Sequence, residues 1–117
     1  MSETTRVTLE AAVLDLVLRP TAADEFLDRP VTGAIVSDLL SYVMASAKAG
    51  NVWITIQTHP NTVAVAALAG LSAIVSAAGF EPEDDTISRA DDEGIPLFTS
   101  AEPAYALAGK LYALGVR

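Results

Sequence analysis

His59 is the chain's only histidine, and it lies in Gln57-Thr58-His59-Pro60-Asn61, directly after the apolar run Val52-Trp53-Ile54-Thr55-Ile56. A histidine released at the end of a strand stands where a general base could work. Such a base also needs an orienting acid and a nucleophile. The stretch from Ala49 to Phe80 holds no Asp, Glu, Lys or Arg. The neighbourhood supplies no acid, so catalysis at His59 is the least favoured reading.

The same residues suit a second task. Gln57, Thr58, His59 and Asn61, then Gly79, then Thr99 and Ser100, each fall between an apolar strand and a following helix. In open α/β sheets, ligands bind beyond the C-terminal ends of the strands. Helix N-termini there offer free N–H groups and a positive partial charge to phosphate or carboxylate. These residues, with Arg29 and Thr32, are the candidate ligand-binding set for a nucleotide or other anionic metabolite. A plain structural reading stands beside it. Thr58, His59, Thr99 and Ser100 are also ordinary helix caps, and Pro60 suits a first helical turn.

Other chemistries lack their parts. Without cysteine there is no disulfide, zinc–thiolate site or thiol nucleophile. The acidic stretch EPEDDTISRADDEG, from Glu81 to Gly94, lacks the ligand order of an EF-hand loop. It reads as a solvated helix with Glu83, Asp84 and Asp85 at its N-terminus. The only Gly-Lys pair is Gly109-Lys110. A phosphate-binding P-loop needs Gly where Ala104 stands and Ser or Thr where Leu111 stands. No GxSxG nucleophile elbow is present either. We expect no enzyme, no metal and no cofactor.

The elements that must position these residues follow from patterning. Residues 52–57 form a β-branched, aromatic strand, and 61–69 a helix stopped near Gly70. Residues 72–77 are a second strand, 83–93 a charged helix closed by Gly94, and 95–99 a third strand. Residues 102–114 form an amphipathic helix with Leu107, Leu111 and Leu114 on one side and Gly115 after it. Strand starts recur roughly every 20 residues, the spacing of βαβ units. The first half is less regular. It reads as a helix over 9–16 capped by Thr8, a strand extension over 16–18 and a polar connection over 20–26. A strand over 31–36 follows, then a helix over 38–48 capped by Ser37. The predicted fold is α/β: a single domain, mainly parallel sheet with βα units in the C-terminal half and helices on both faces. Residues 1–117 are taken as one domain, with 1–7 loosely ordered.

Composition narrows function further. Hydrophobic residues make up 51% of the chain but aromatics only 6%, which predicts a core of Ala, Val, Leu and Ile. A net charge of -8 opposes binding to nucleic acid or anionic lipid, where cationic side chains supply most of the affinity. The uncharged stretch over 49–80 is long enough for a membrane span. Gln57, His59, Pro60, Asn61 and Gly70 break it into a buried strand–helix–strand unit instead. The N-terminus lacks a basic-then-apolar leader pattern, and with no cysteine the expected location is cytoplasmic. The run Val63-Ala64-Val65-Ala66-Ala67-Leu68-Ala69 is apolar on every face. A surface helix of a small monomer should show a polar side. A homodimer through this helix is therefore expected, the other reading being cover from the rest of the chain.

The segments DRPVTG (28–33), VSDLLS (36–41), VWITIQTH (52–59) and AGKLYALG (108–115) together resemble the DRTGG domain family, especially its small free-standing bacterial members. The likeness runs from about Thr8 to the end of the chain. Pro30-Val31 separate Asp28-Arg29 from Thr32-Gly33, so the namesake motif is interrupted. The resemblance implies a domain similar to the N-terminal part of HPr kinase/phosphorylase, which lies outside the kinase active site. Similar domains sit beside CBS domains in nucleotide-regulated pyrophosphatases and inside long phosphotransacetylases, as regulatory or dimer-forming modules. Free-standing members are often labelled serine kinase and often lie near iron hydrogenase genes. The missing P-loop argues against the kinase label. The expected function is a non-catalytic, homodimeric regulatory or ligand-sensing module. The alternative is a protein-interaction or assembly factor without a small ligand, linked to redox systems of the iron hydrogenase kind. For Asp28, Arg29, Thr32 and Gly33, turn chemistry favours a structural role over ligand contact.

Overall fold

The structure is a computed structural model and describes residues 7–117. Its elements run β1 (Val7–Thr8), α1 (Leu9–Leu16), β2 (Arg19–Ala22), β3 (Pro30–Val31), β4 (Gly33–Val36) and α2 (Leu40–Ser46). They continue as β5 (Asn51–Thr55), α3 (Asn61–Ala69), β6 (Ala73–Ser76), α4 (Asp84–Glu93), β7 (Leu97–Thr99) and α5 (Ala104–Leu114).

A five-stranded sheet has the order β2-β7-β6-β5-β4. Strands β4 to β7 are parallel, and β2 adds to β7 antiparallel. From β4 to β7 spatial order equals chain order. Right-handed crossovers that all step in one direction put their helices on one face. That face carries α2, α3 and α4 side by side, while α1 and α5 pack together on the other. The fold is thus α/β, mainly parallel and covered on both faces.

The period-two alternation of the strands sorts the core. Val52 and Ile54 of β5, with Ala73 and Val75 of β6, meet Leu9, Leu107 and Leu111 of α1 and α5. Trp53 and Ile74, one residue out of phase, meet Val43, Val63 and Ala66 of α2 and α3. The core is not purely aliphatic as composition predicts. Trp53 and Phe98 are the largest fully buried side chains, at 0% exposure, one on each face. The few aromatics are spent at the sheet centre, where bulk fills most volume per residue.

Several expected elements change. Helix α1 has the predicted bounds, and Thr8 Oγ1 accepts the Ala11 N–H at 3.2 Å. The strand extension over 16–18 does not form, because Val17 turns left-handed (φ 54) and caps α1. The supposed connection over 20–26 overlaps strand β2, which starts at Arg19 and takes an edge position that tolerates Pro20. The strand expected over 31–36 splits at Thr32. Pro30–Val31 pairs with β1, and Gly33–Val36 joins the main sheet. The expected helix over 38–48 shortens to α2, and Ser37 Oγ accepts the Leu39 N–H just ahead of it. Of the residues expected to be loosely ordered, Val7 pairs with Val31 in β1, and 1–6 lie outside the described residues.

Helix α3 keeps its predicted bounds and ends at Gly70 (φ 68). It is the middle helix of its layer, with α2 and α4 as neighbours. That position buries Thr62, Val63, Val65 and Ala66 within one protomer and leaves Leu68 76% exposed. Part of the apolar composition of α3 is thereby accounted for inside one chain, while Ala67 and Leu68 remain exposed. Among the described residues, no helix is long and apolar enough to cross a membrane.

Candidate functional site

The nine candidate residues fall at three places on the sheet. Gln57, Thr58, His59 and Asn61 follow β5, where strand-end N–H groups were expected to meet an anion. A carboxylate does sit there, but it is the protein's own. Asp38 Oδ1 accepts from the Ile56 N–H and from Thr55 Oγ1, both at 2.8 Å. Gln57 Nε2 then donates to the Asp38 carbonyl at 2.8 Å. The chain leaving β4 is thus clasped over the end of β5.

Thr58 and His59 act as staples. The Thr58 carbonyl accepts the Glu83 N–H at 3.2 Å and Thr86 Oγ1 at 2.6 Å, which ties the start of α4 to this loop. His59 Nδ1 accepts the Asn61 N–H at 3.1 Å, and its carbonyl accepts Thr62 Oγ1 at 2.9 Å. The N-cap position of α3 is Pro60, without a side-chain cap bond, so His59 holds the first turn from just ahead of the cap and Thr58 acts through its carbonyl alone. No carboxylate or nucleophile bonds the imidazole among the described contacts.

Gly79, Thr99 and Ser100 come together beyond β6 and β7. A cavity of about 410 Å³ lies elsewhere, at the other end of the sheet; the one here measures about 230 Å³. Its wall includes Val17, Arg19, Gly79, Glu81, Thr99, Ser100 and Ala101. Backbone bonds between the two loops build it. The Ala78 N–H donates to Glu102 O at 2.7 Å, Gly79 to Ser100 O at 2.9 Å, and Ser100 to Ser76 O at 2.9 Å. Gly79 holds φ 77, a conformation that glycine adopts without strain. Arg19 stands at the rim, donating through Nη2 to both Glu81 oxygens at 2.7 and 2.9 Å. Arg19 and Val17 were not singled out in the sequence. They arrive from a segment far away in the chain, and nothing local to Gly79 or Thr99 announces them.

Arg29 and Thr32 lie at the opposite, N-terminal end of the strands, away from both other groups. Arg29 Nη2 donates to Gly94 O at 3.0 Å, and its guanidinium lies 4.4 Å from the Phe26 ring centroid. Gly94 is the C-cap of α4, so the cation meets the negative end of that helix. The cavity of about 410 Å³ here is lined by Arg29, Gly70 and Gly94 among others, with the C-caps of α3 and α4 in its wall. Helix C-termini repel anions, so Arg29 works as a structural counter-charge. Thr32 Oγ1 donates to Ala49 O at 2.7 Å and accepts from Asn51 Nδ2 at 3.3 Å. It pins the turn before β4 against the turn before β5.

The arrangement can hold a small polar group at the β6–β7 end. Among the described residues, no cluster of His, Asp or Glu could hold a metal ion.

The fold defined by these elements is that of an α/β module also seen in an enzyme's regulatory region. No family model and no curated protein matches the chain. A solved structure does: the CBS and DRTGG domains of the regulatory region of a Clostridium perfringens pyrophosphatase, complexed with its activator diadenosine tetraphosphate. The two superpose with a TM-score of 0.74 at 13% identity over 94% of this chain. That likeness establishes a shared fold. The chain spans 48% of the length of that structure.

Proposed function

We propose that this chain is a non-catalytic, homodimeric regulatory module that takes an anionic metabolite of the nucleotide class in the groove beyond β6 and β7. One observation carries the reading. At this groove three candidate residues, Gly79, Thr99 and Ser100, line a cavity with a guanidinium at its rim. The Arg19–Glu81 pair is 58% and 64% exposed. Exposed pairs of this kind contribute about 0–1 kcal/mol, so a phosphate can displace Glu81 at little cost. The nucleotide activator of the similar pyrophosphatase region supports the choice of ligand class.

Thermal shift and calorimetry with adenine mononucleotides and diadenosine tetraphosphate test the reading. Binding to the folded state raises the melting temperature by mass action. The rise should shrink in Arg19→Ala and grow in Glu81→Gln. No shift at millimolar ligand, or an equal shift in Arg19→Ala, would contradict it.

A second reading, an interaction module without a small ligand, is favoured by one specific observation. The strand-end position at β5 is already filled by Asp38.

A further inference from the structure

Among the described residues, helices α1, α3, α4 and α5 each end in a left-handed cap. Three of these caps are glycine: Gly70 (φ 68), Gly94 (φ 68) and Gly115 (φ 111). Glycine is the usual residue there, because a Cβ crowds the backbone at positive φ. Helix α1 is instead closed by Val17, at φ 54 and ψ 51. Branching at Cβ makes valine one of the least suited residues for this conformation. The turn has a structural reason, since the N–H groups of Val17 and Leu18 satisfy the carbonyls of Leu14 and Val13. The choice of side chain does not follow from it, because glycine would make the same two bonds with less strain.

The core does not call for a valine here either. Leu16 and Leu18 on either side are buried, while Val17 is 81% exposed and belongs to neither core cluster. Its side chain lines the groove beyond β6 and β7, two residues before Arg19. Backbone strain gathers at the same place. The other non-glycine residues at positive φ are Ala23 (φ 49) and Ala78 (φ 59). Ala23 is buried and its N–H is held by Asp91. Ala78 directly precedes Gly79 in the loop that builds the groove. Strained residues of this kind cluster at ligand sites.

The size of the groove divides the ligand. Its volume of about 230 Å³ falls below the roughly 300–1,000 Å³ of sites that enclose a whole drug-sized molecule. It accepts a phosphate-sized part beside Arg19, and the remainder lies along the rim. There Val17 offers two exposed methyl groups, and Leu14, 71% exposed, stands one turn earlier. Methyl groups gain from being covered by an uncharged flat face and gain nothing from a phosphate.

We infer that Val17 is the specificity-determining residue of this groove: its side chain is the apolar wall on which the base of a nucleotide rests while Arg19 takes the phosphate. This rests on the ligand reading above and adds what separates a nucleotide from a bare polyphosphate.

Calorimetric titration of the whole chain with adenosine triphosphate and with inorganic triphosphate tests it, on the wild type, Val17→Gly and Val17→Asn. Both replacements accept the left-handed turn, so both variants should melt at or above the wild-type temperature. In each, affinity for adenosine triphosphate should fall roughly fivefold or more, while affinity for inorganic triphosphate stays within about twofold. A wild type that binds the two equally, or variants that keep the nucleotide affinity, would overturn the role of Val17 and leave the anion site standing. Loss of both ligands in the variants, or melting below the wild type in both, would also overturn it, since the valine would then serve the fold of the groove. A wild type that binds neither compound overturns the ligand reading itself, and the role of Val17 with it.

Discussion

The two edges of the sheet are built differently. Strands β2 and β4 both span four residues, so length does not distinguish them. Edge β2 is guarded. Pro20 lacks an N–H, and the register with β7 breaks into a bulge between Pro20 and Ala22. Arg19 is held by Glu81, and just beyond the strand the Ala23 N–H is capped by Asp91 Oδ1 at 2.7 Å. Edge β4 has no proline and no charged residue within the strand, and an apolar surround. Its effort goes inward instead. Trp53 Nε1 donates to Ser37 O at 2.8 Å, and Asp38 reaches across to Thr55 and Ile56. One edge is sealed against neighbours. The other is fastened firmly to its own sheet.

The fastening of β4 can be broken in steps. Trp53→Ala should cost most, about 3–5 kcal/mol in urea unfolding, because it empties the core under α2 and α3 and frees Ser37 O. A loss below about 1 kcal/mol would show that β4 does not depend on this anchor. Asp38→Ala should cost about 1–3 kcal/mol, since Thr55 is 1% exposed and its hydroxyl loses its acceptor. Stability unchanged in Asp38→Ala would mean that the clasp over β5 is ornamental.

The guards of β2 should matter less to stability, because each is a single contact at the end of an edge strand. Asp91→Ala is expected to cost about 1 kcal/mol by thermal unfolding, through the lost bond to the Ala23 N–H. A cost above that of Asp38→Ala would reverse the contrast between the edges. Arg19→Ala should change stability by less than about 1 kcal/mol, as its ion pair is exposed. A larger loss would make Arg19 a structural residue and weaken its place at the ligand groove.

What was legible in the sequence was local. Helix α1 announced itself through Thr8, and α3 through Pro60-Asn61 and Gly70, because caps and stops act within a few residues. The parallel C-terminal half followed from apolar strands at regular spacing. Strand β2 was hidden, since Arg19-Pro20-Thr21 reads as a loop and only pairing with β7 makes it a strand. The split at Thr32 was hidden for the same reason. Thr32 is fixed by Ala49 and Asn51, which lie in another part of the chain. At the candidate site, Gly79, Thr99 and Ser100 were legible as strand-end residues. Arg29 was legible as a residue of structural role, but its partner Gly94 was not, since it comes from 65 residues away. The aliphatic core failed because composition counts aromatics without locating them, and Trp53 and Phe98 sit at the centre.

Whether the groove beyond β6 and β7 takes an anionic ligand through Arg19 is read most directly by isothermal titration calorimetry with diadenosine tetraphosphate on the wild type and on Arg19→Ala. The wild type should bind, and Arg19→Ala should bind roughly tenfold more weakly or worse. Equal affinity in both, or no heat at millimolar ligand, would contradict the reading.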